Sequence, residues 1–305
     1  LARKAIKTHE KSADAADRTA SLDVLFRLQS VAGEHAAAAA SLESLIALRE
    51  ASESGSAAAL RVFLVYEQAQ AGCDEQTPAT RICVERVFEQ VFAGLGDLDA
   101  SRSLFWFGGD IGRFRADLNN AVGDLVGEAG IPLPDAISLL REAHLLSTYE
   151  LIAPLADTLI AQDDARRYRI DDELLIRTPD GADIAAIAVR PAANTEKLPT
   201  LLVFTIYADD AQALGEARSM AAHGYAGVVA YTRGKGRSPQ SPTPYEHDGD
   251  DARAVIDWIT RQPWSDGRVG MYGGSYNGFT QWAAAKKLPA ALKTFVPYAA
   301  NNPGN

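Results

Sequence analysis

Histidine is scarce in this chain and unevenly placed. There are five, His9, His35, His144, His223 and His247, and residues 276–305 contain no His, Asp or Glu. Cysteine is scarcer still: only Cys73 and Cys83 occur, flanking a Pro-containing loop, with no His nearby to complete a metal set. A bridge closing that loop and two free buried thiols both remain open. Positive charge is in deficit, 30 Lys and Arg against 40 Asp and Glu, and no basic cluster interleaved with aromatics could follow a phosphate backbone. Nucleic acid is therefore excluded as a partner. Long apolar runs are missing too. The longest, residues 36–48, is Ala-rich, carries Ser and Glu, and is too short to cross a bilayer as a helix, so no membrane partner is expected. The opening Leu1-Ala2-Arg3-Lys4 lacks the apolar core of a secretory signal and reads as a processed or trimmed start, with a periplasmic or secreted location slightly favoured. No phosphate-cradling glycine loop or dinucleotide fingerprint appears. Arg233-Gly234-Lys235-Gly236 follows a strand pattern without opening into a helix, and reads as a structural turn. No metal or cofactor is expected.

What is present falls into two grammars. With 305 residues, 47% of them apolar, the chain can bury a full core, and its length suggests two domains. From residue 14 to about 163, apolar residues recur at three- and four-residue spacing, as in Leu22, Leu25 and Leu28 or Leu42, Leu45 and Leu48. The run Ser52-Glu53-Ser54-Gly55-Ser56 breaks that pattern, and further helices are expected over 57–70, 78–92, 112–128, 133–144 and 148–161. The pairs have the length of tetratricopeptide hairpins, but no repeat aligns and that signature is missing, so an irregular bundle is expected.

Near Arg166 the period changes to alternation. Tyr168, Ile170 and Leu174-Leu175-Ile176 lead to Pro179-Asp180-Gly181, a hairpin turn, after which Ile184, Ile187 and Val189 resume. Strand patterns at 200–205, 226–231, 269–272 and 292–297 then alternate with helical ones at 211–223, 250–261 and 279–287, which means a parallel sheet with right-handed crossovers. The expected fold class is α/β: a partial, mostly parallel sheet opened by an antiparallel hairpin over residues 166–305, preceded by an all-α domain over residues 1–165.

The third of those parallel strands runs into Gly273-Gly274-Ser275-Tyr276-Asn277-Gly278 and then a helix. So tight a strand-to-helix turn forces its central residue into a strained backbone and lifts that side chain above the sheet edge, beside the free amides of the helix start. Ser275 is the candidate nucleophile, and the geometry suits a tetrahedral intermediate. The common elbow, Gly-x-Ser-x-Gly, is altered here: Asn277 holds the second glycine's position, and Asn tolerates unusual backbone angles.

Together with Arg233-Gly234-Lys235-Gly236-Arg237-Ser238, Asp257-Trp258-Ile259, Gln262-Pro263-Trp264-Ser265 and Gly267-Arg268-Val269-Gly270-Met271, this turn resembles the α/β-hydrolase family of X-prolyl dipeptidyl peptidases and cocaine esterase (CocE/NonD). That family writes its elbow Gly-x-Ser-Tyr-x-Gly, as here, and the resemblance covers roughly residues 170–300. It implies a serine hydrolase working through an acyl-enzyme on a small ester or peptide. It implies an oxyanion hole made by the backbone N–H of Tyr276 and the hydroxyl of Tyr207, although Ile206 stands where the family usually has Pro.

A serine needs a base, oriented by an acid, and in this fold the chain order is Ser, acid, His. Neither follows Ser275, so both are expected beyond Asn305, supplied by the remainder of the catalytic domain, and the chain alone should turn over little. His247, in Tyr245-Glu246-His247-Asp248, is the one substitute within the chain, but that loop reads more plainly as the entrance to a helix capped by Asp248 or Asp250. His223 before Gly224 reads as a helix-end histidine, and His9, His35 and His144 as helix-surface or core residues. A binding or scaffold protein with a degenerate hydrolase domain is the alternative. The helical domain could serve as a lid, a partner surface or a dimer surface, and homo-oligomerisation stays open.

Overall fold

The computed structural model describes residues 2–12, 18–52, 57–72, 81–127 and 130–300, and within it the chain forms two compact units, Leu1–Asp163 and Asp164–Asn305. Cys73 lies outside the described residues, and with it the pairing of the two cysteines.

The first unit is helical: α1 (Ala2–Ser12), α2 (Arg18–Val31), α3 (His35–Glu50), α4 (Arg61–Gly72), α5 (Arg81–Ala93), α6 (Asp97–Leu104), α7 (Ile111–Gly123) and α8 (Leu133–Ile152), then α9 (Ala156–Arg167), whose last turn belongs to the second unit. Its core gathers Phe26, Leu42, Leu45, Val65, Phe88, Phe92, Ile152 and Leu159. The expected break at 145–147 does not occur. Ser147 and Thr148 turn their hydroxyls back onto the carbonyls of Ala143 and His144, at 2.9 Å each, so these polar side chains are satisfied without ending the helix. The interruption comes instead at a 3₁₀ turn over Ala153–Leu155, where Pro154 lacks an amide hydrogen.

In the middle of this unit a carboxylate is buried between two imidazoles. Glu67, fully buried, accepts from His144 Nε2 at 2.9 Å and from His35 Nδ1 at 2.8 Å, and Arg27 lies 3.4 Å from His144 Nδ1. Burial opposes charge on Glu67, but hydrogen bonds from the two histidines outweigh it and hold the carboxyl below the usual range. Burial pushes the His144 imidazole down, against the pull of Glu67. A neutral His144 donating from Nε2 to Glu67 and accepting from Arg27 at Nδ1 uses both of its ring nitrogens.

The second unit carries one six-stranded sheet: β1 (Tyr168–Arg177), β2 (Asp183–Pro191), β3 (Leu198–Thr205), β4 (Ala226–Tyr231), β5 (Ser265–Gly274) and β6 (Leu292–Tyr298), in the order β1-β2-β4-β3-β5-β6. β1 and β2 form the antiparallel hairpin, β2 runs antiparallel to β4, and the pairs β3/β4, β3/β5 and β5/β6 are parallel. The sheet is thus α/β, mostly parallel and opened by a hairpin, as its alternation predicts. α10 (Asp210–Ala222) packs on one face against Val203, Val229 and Tyr231, while α11 (Asp248–Thr260) and α12 (Tyr276–Lys286) contribute to the core of the other with Leu202, Phe204, Val228 and Met271. The chain leaves β3 toward β4 on one side and reaches β5 on the other, so the carboxyl ends of β3 and β5 flank a topological switch point, where crevices open in such sheets.

Candidate active site

Ser275, nominated from the sequence as nucleophile, and Tyr207, nominated for the oxyanion hole, both lie at that switch point. Beyond β3, the amide of Tyr207 donates to Thr205 Oγ1 at 3.0 Å, and Asp209 caps α10 by accepting from the Gln212 amide at 3.0 Å. These two bonds hold the short link that carries Tyr207, a residue 52% exposed. Beyond β5, Ser275 takes φ 55° and ψ −124°, a region that costs a non-glycine residue about 1–3 kcal/mol. The Tyr207 hydroxyl lies 3.1 Å from Ser275 Oγ, and either oxygen can be the donor.

A strained residue persists only if its surroundings over-determine it. The Ser275 amide donates to the Tyr298 carbonyl on β6 at 3.1 Å, and its own carbonyl accepts the amides of Gly278 and Phe279. Gln281, fully buried, donates to the carbonyls of Gly273 and Asn277, and Thr280 bonds the carbonyls of Phe204 on β3 and of Asn277. Gly278 has no room for a side chain: a β-carbon there would fall 2.6 Å from that of Ala300. The unusual backbone angles sit on Ser275, while Asn277 is an ordinary helical residue of α12. The Tyr276 amide, first of the helix, has no acceptor among the described residues.

The side chain of Tyr276 turns inward. Its phenol donates to Asp248, 3.1 and 3.0 Å from the two carboxylate oxygens, and the rings of Tyr245 and Phe279 lie 5.0 and 5.5 Å from its own. Burial, with the Asp248 charge behind it, pushes the Tyr276 phenol well up, and burial likewise raises the Asp248 carboxyl against the hydrogen bonds it accepts. Asp248 is not the helix cap that its position suggests. α11 begins after His247 with no side-chain cap, because the Asp248 carboxylate is drawn to Tyr276 and to the Tyr245 amide instead. Beside Ser275 opens a cavity of about 180 Å³, lined in part by Tyr207, Asp209, Glu216, Tyr272, Asn277 and Tyr298.

Among the described residues no histidine bonds to Ser275. His247 Nε2 lies 4.0 Å from Glu246, His223 Nδ1 lies 2.7 Å from the Ser219 carbonyl, and His35 and His144 both serve Glu67 in the other unit. The side chain of His9 is outside the described residues. The described residues contain no group of three or more His, Cys, Asp or Glu able to hold a metal, and no helix long and apolar enough to cross a membrane. Sequence reading missed Thr280, Gln281 and the inward role of Asp248. The first two carried a signal, being polar residues five and six positions past the serine on a helix otherwise rich in Ala and aromatics.

Residues 180–302 match the family of X-Pro dipeptidyl-peptidases (S15 family). The chain is 35% identical over 136 residues to the cocaine esterase of Rhodococcus sp. (strain MB1 Bresler), covering 43% of this chain and 23% of that protein. It is 35% identical over 95 residues to a putative Xaa-Pro dipeptidyl-peptidase of Bacillus anthracis, covering 25% of this chain and 15% of that one. Among solved structures, an α-amino acid ester hydrolase matches at 28% identity with a TM-score of 0.37, over 43% of this chain and 26% of that chain. The chain therefore spans less than a quarter of the length of these two sequence relatives.

Proposed function

We propose, for a chain whose sheet-bearing unit is an α/β-hydrolase domain matching the X-Pro dipeptidyl-peptidase family, that it contributes the nucleophile of a serine hydrolase. Ser275 Oγ attacks the carbonyl carbon of an ester or amide, its proton passing to a base. The oxyanion that forms accepts hydrogen bonds from the Tyr276 amide and the Tyr207 hydroxyl, the leaving group departs with a proton, and water releases the acyl group from Ser275. The observation that carries the reading is the strained Ser275 at the β5 to α12 turn with the Tyr207 hydroxyl 3.1 Å from its Oγ. Small esters and X-Pro peptides are the substrate classes, on the strength of the relatives' names. The reaction also needs an acid and a base that the described residues do not bring to Ser275.

That last point is what favours a second reading, a binding protein on a degenerate hydrolase scaffold. One experiment separates the two. The natural gene product, purified whole, is treated with a fluorophosphonate probe and assayed on nitrophenyl esters and on X-Pro nitroanilides. Labelling and turnover that vanish in Ser275→Ala support the hydrolase. Labelling that survives the substitution, or none in the wild type, supports the scaffold.

A further inference from the structure

A carboxylate at the first position of a helix ordinarily stays at the surface, where water and the amides of the helix start stabilise it. Asp248 does otherwise. It is 4% exposed, and its oxygens take the Tyr276 phenol and the Tyr245 amide, the latter at 2.8 Å. The Tyr276 hydroxyl lies in turn 3.1 Å from the same Tyr245 amide, so three groups, one each from the β4 to α11 loop, the start of α11 and the start of α12, meet there. Tyr245, 57% exposed, holds φ 72°, uncommon for a residue with a side chain, and its ring lies 5.0 Å from that of Tyr276 and 4.8 Å from that of Phe279. Burying a carboxylate raises the energy of its charged form, and here the donors that offset that cost are two groups adjoining the nucleophile turn.

We infer that Asp248 is a positioning residue: through the phenol of Tyr276 it fixes the first turn of α12, and with it the amide aimed at the oxyanion, while the same carboxylate holds the Tyr245 ring beside that turn. The inference rests on the function proposed above and deepens it. Asp248 touches no reacting atom. Its effect on the reaction passes through Tyr276, whose backbone is continuous with Ser275.

The test uses the natural gene product and four variants: Asp248→Ala, Asp248→Asn, Tyr276→Phe and the double variant Asp248→Ala/Tyr276→Phe. Tyr276→Phe keeps the buried ring and removes only the hydroxyl, so it reports even if Asp248→Ala folds poorly. Expected is a fall in kcat of about tenfold in Asp248→Ala and in Tyr276→Phe, with KM within about twofold, and a double variant no slower than the slower single one, as for residues acting as one unit. Asp248→Asn, which keeps an acceptor for the phenol, should recover at least about a third of wild-type kcat. Amide hydrogen exchange supplies a readout independent of turnover. The amides of Tyr245, Gly278 and Phe279 should exchange faster in Asp248→Ala, while those of β4 keep their protection. Unchanged kcat in both single variants, strictly additive losses, or unchanged exchange at all three amides overturns the inference. If the wild type itself fails to react through Ser275, the proposed function falls, and the exchange data still decide whether Asp248 holds the turn.

Discussion

Replacing Tyr207 by Phe removes one oxygen and nothing else that the link after β3 depends on. The Tyr207 amide keeps its bond to Thr205 Oγ1, Asp209 keeps its cap on α10, and the ring keeps its place in the cavity lining. What is lost is the hydroxyl 3.1 Å from Ser275 Oγ, one of two donors proposed for the oxyanion. Removing one such donor ordinarily costs about 10²- to 10³-fold in rate. Tyr207 is 52% exposed, so water can partly take over from the missing hydroxyl. The expected loss is therefore at the lower end, about 10²-fold or about 2.7 kcal/mol of transition-state stabilisation. Because the donor acts on charge that develops only in the transition state, the loss belongs in kcat and KM should move by less than about twofold. Initial rates of nitrophenyl ester hydrolysis by the natural gene product, wild type against Tyr207→Phe, measure it, with thermal unfolding to show that the fold is unchanged. A loss below about threefold, or one found entirely in KM, would refute the assignment of this hydroxyl to the oxyanion.

Two further predictions concern the two units separately. Gly227→Ala would drive a β-carbon to 2.3 Å from the backbone carbonyl of Ala217, where α10 crosses β4, so a loss of about 1–3 kcal/mol is expected in urea unfolding, and a neutral result would refute so close an approach of helix to strand. Acid should destabilise the helical unit, because His144 and Glu67 both have depressed folded-state values. The unfolded chain then binds more protons, and stability falls as pH drops, from about 6.5 downward for His144 and from about 4.5 for Glu67. Thermal melts followed by circular dichroism between pH 7 and 5 should show this slope, and His144→Gln, which can still donate to Glu67 but does not titrate, should flatten it. An identical slope in that variant would remove His144 from the account.

The legible parts of the fold were those whose burial is set by strand or helix position alone. β4 reads from the sequence with its observed ends because all six of its residues are buried between neighbours on both sides, leaving a continuous apolar run. The hairpin reads from Pro179-Asp180-Gly181, whose ladder closes with the Thr178 amide donating to the Ala182 carbonyl at 2.9 Å. Ser275 was legible because a strand-to-helix turn with small neighbours leaves few backbone solutions. The uninterrupted α8 was not, since Ser147 and Thr148 are as suited to a turn as to a helix until their hydroxyls find the carbonyls behind them. Nor was α6, short and polar, whose buried face of Ala100, Ser103 and Leu104 gives too little periodicity to stand out.

Residue order by itself determined the succession of helices, then strands alternating with helices, and the turn that bends at Ser275, because periodicity and the steric needs of tight turns are properties of neighbours in the chain. Tertiary structure alone decided which distant groups share a point: Tyr207 facing Ser275 across 68 positions, Asp248 leaving its helix end for Tyr276, and Glu67 lodged between His35 and His144. Those meetings follow from strand order and from which face of a helix is buried. A carboxylate's preference for a cap is worth about a kilocalorie per mole, so the stronger donors that packing brings to it prevail.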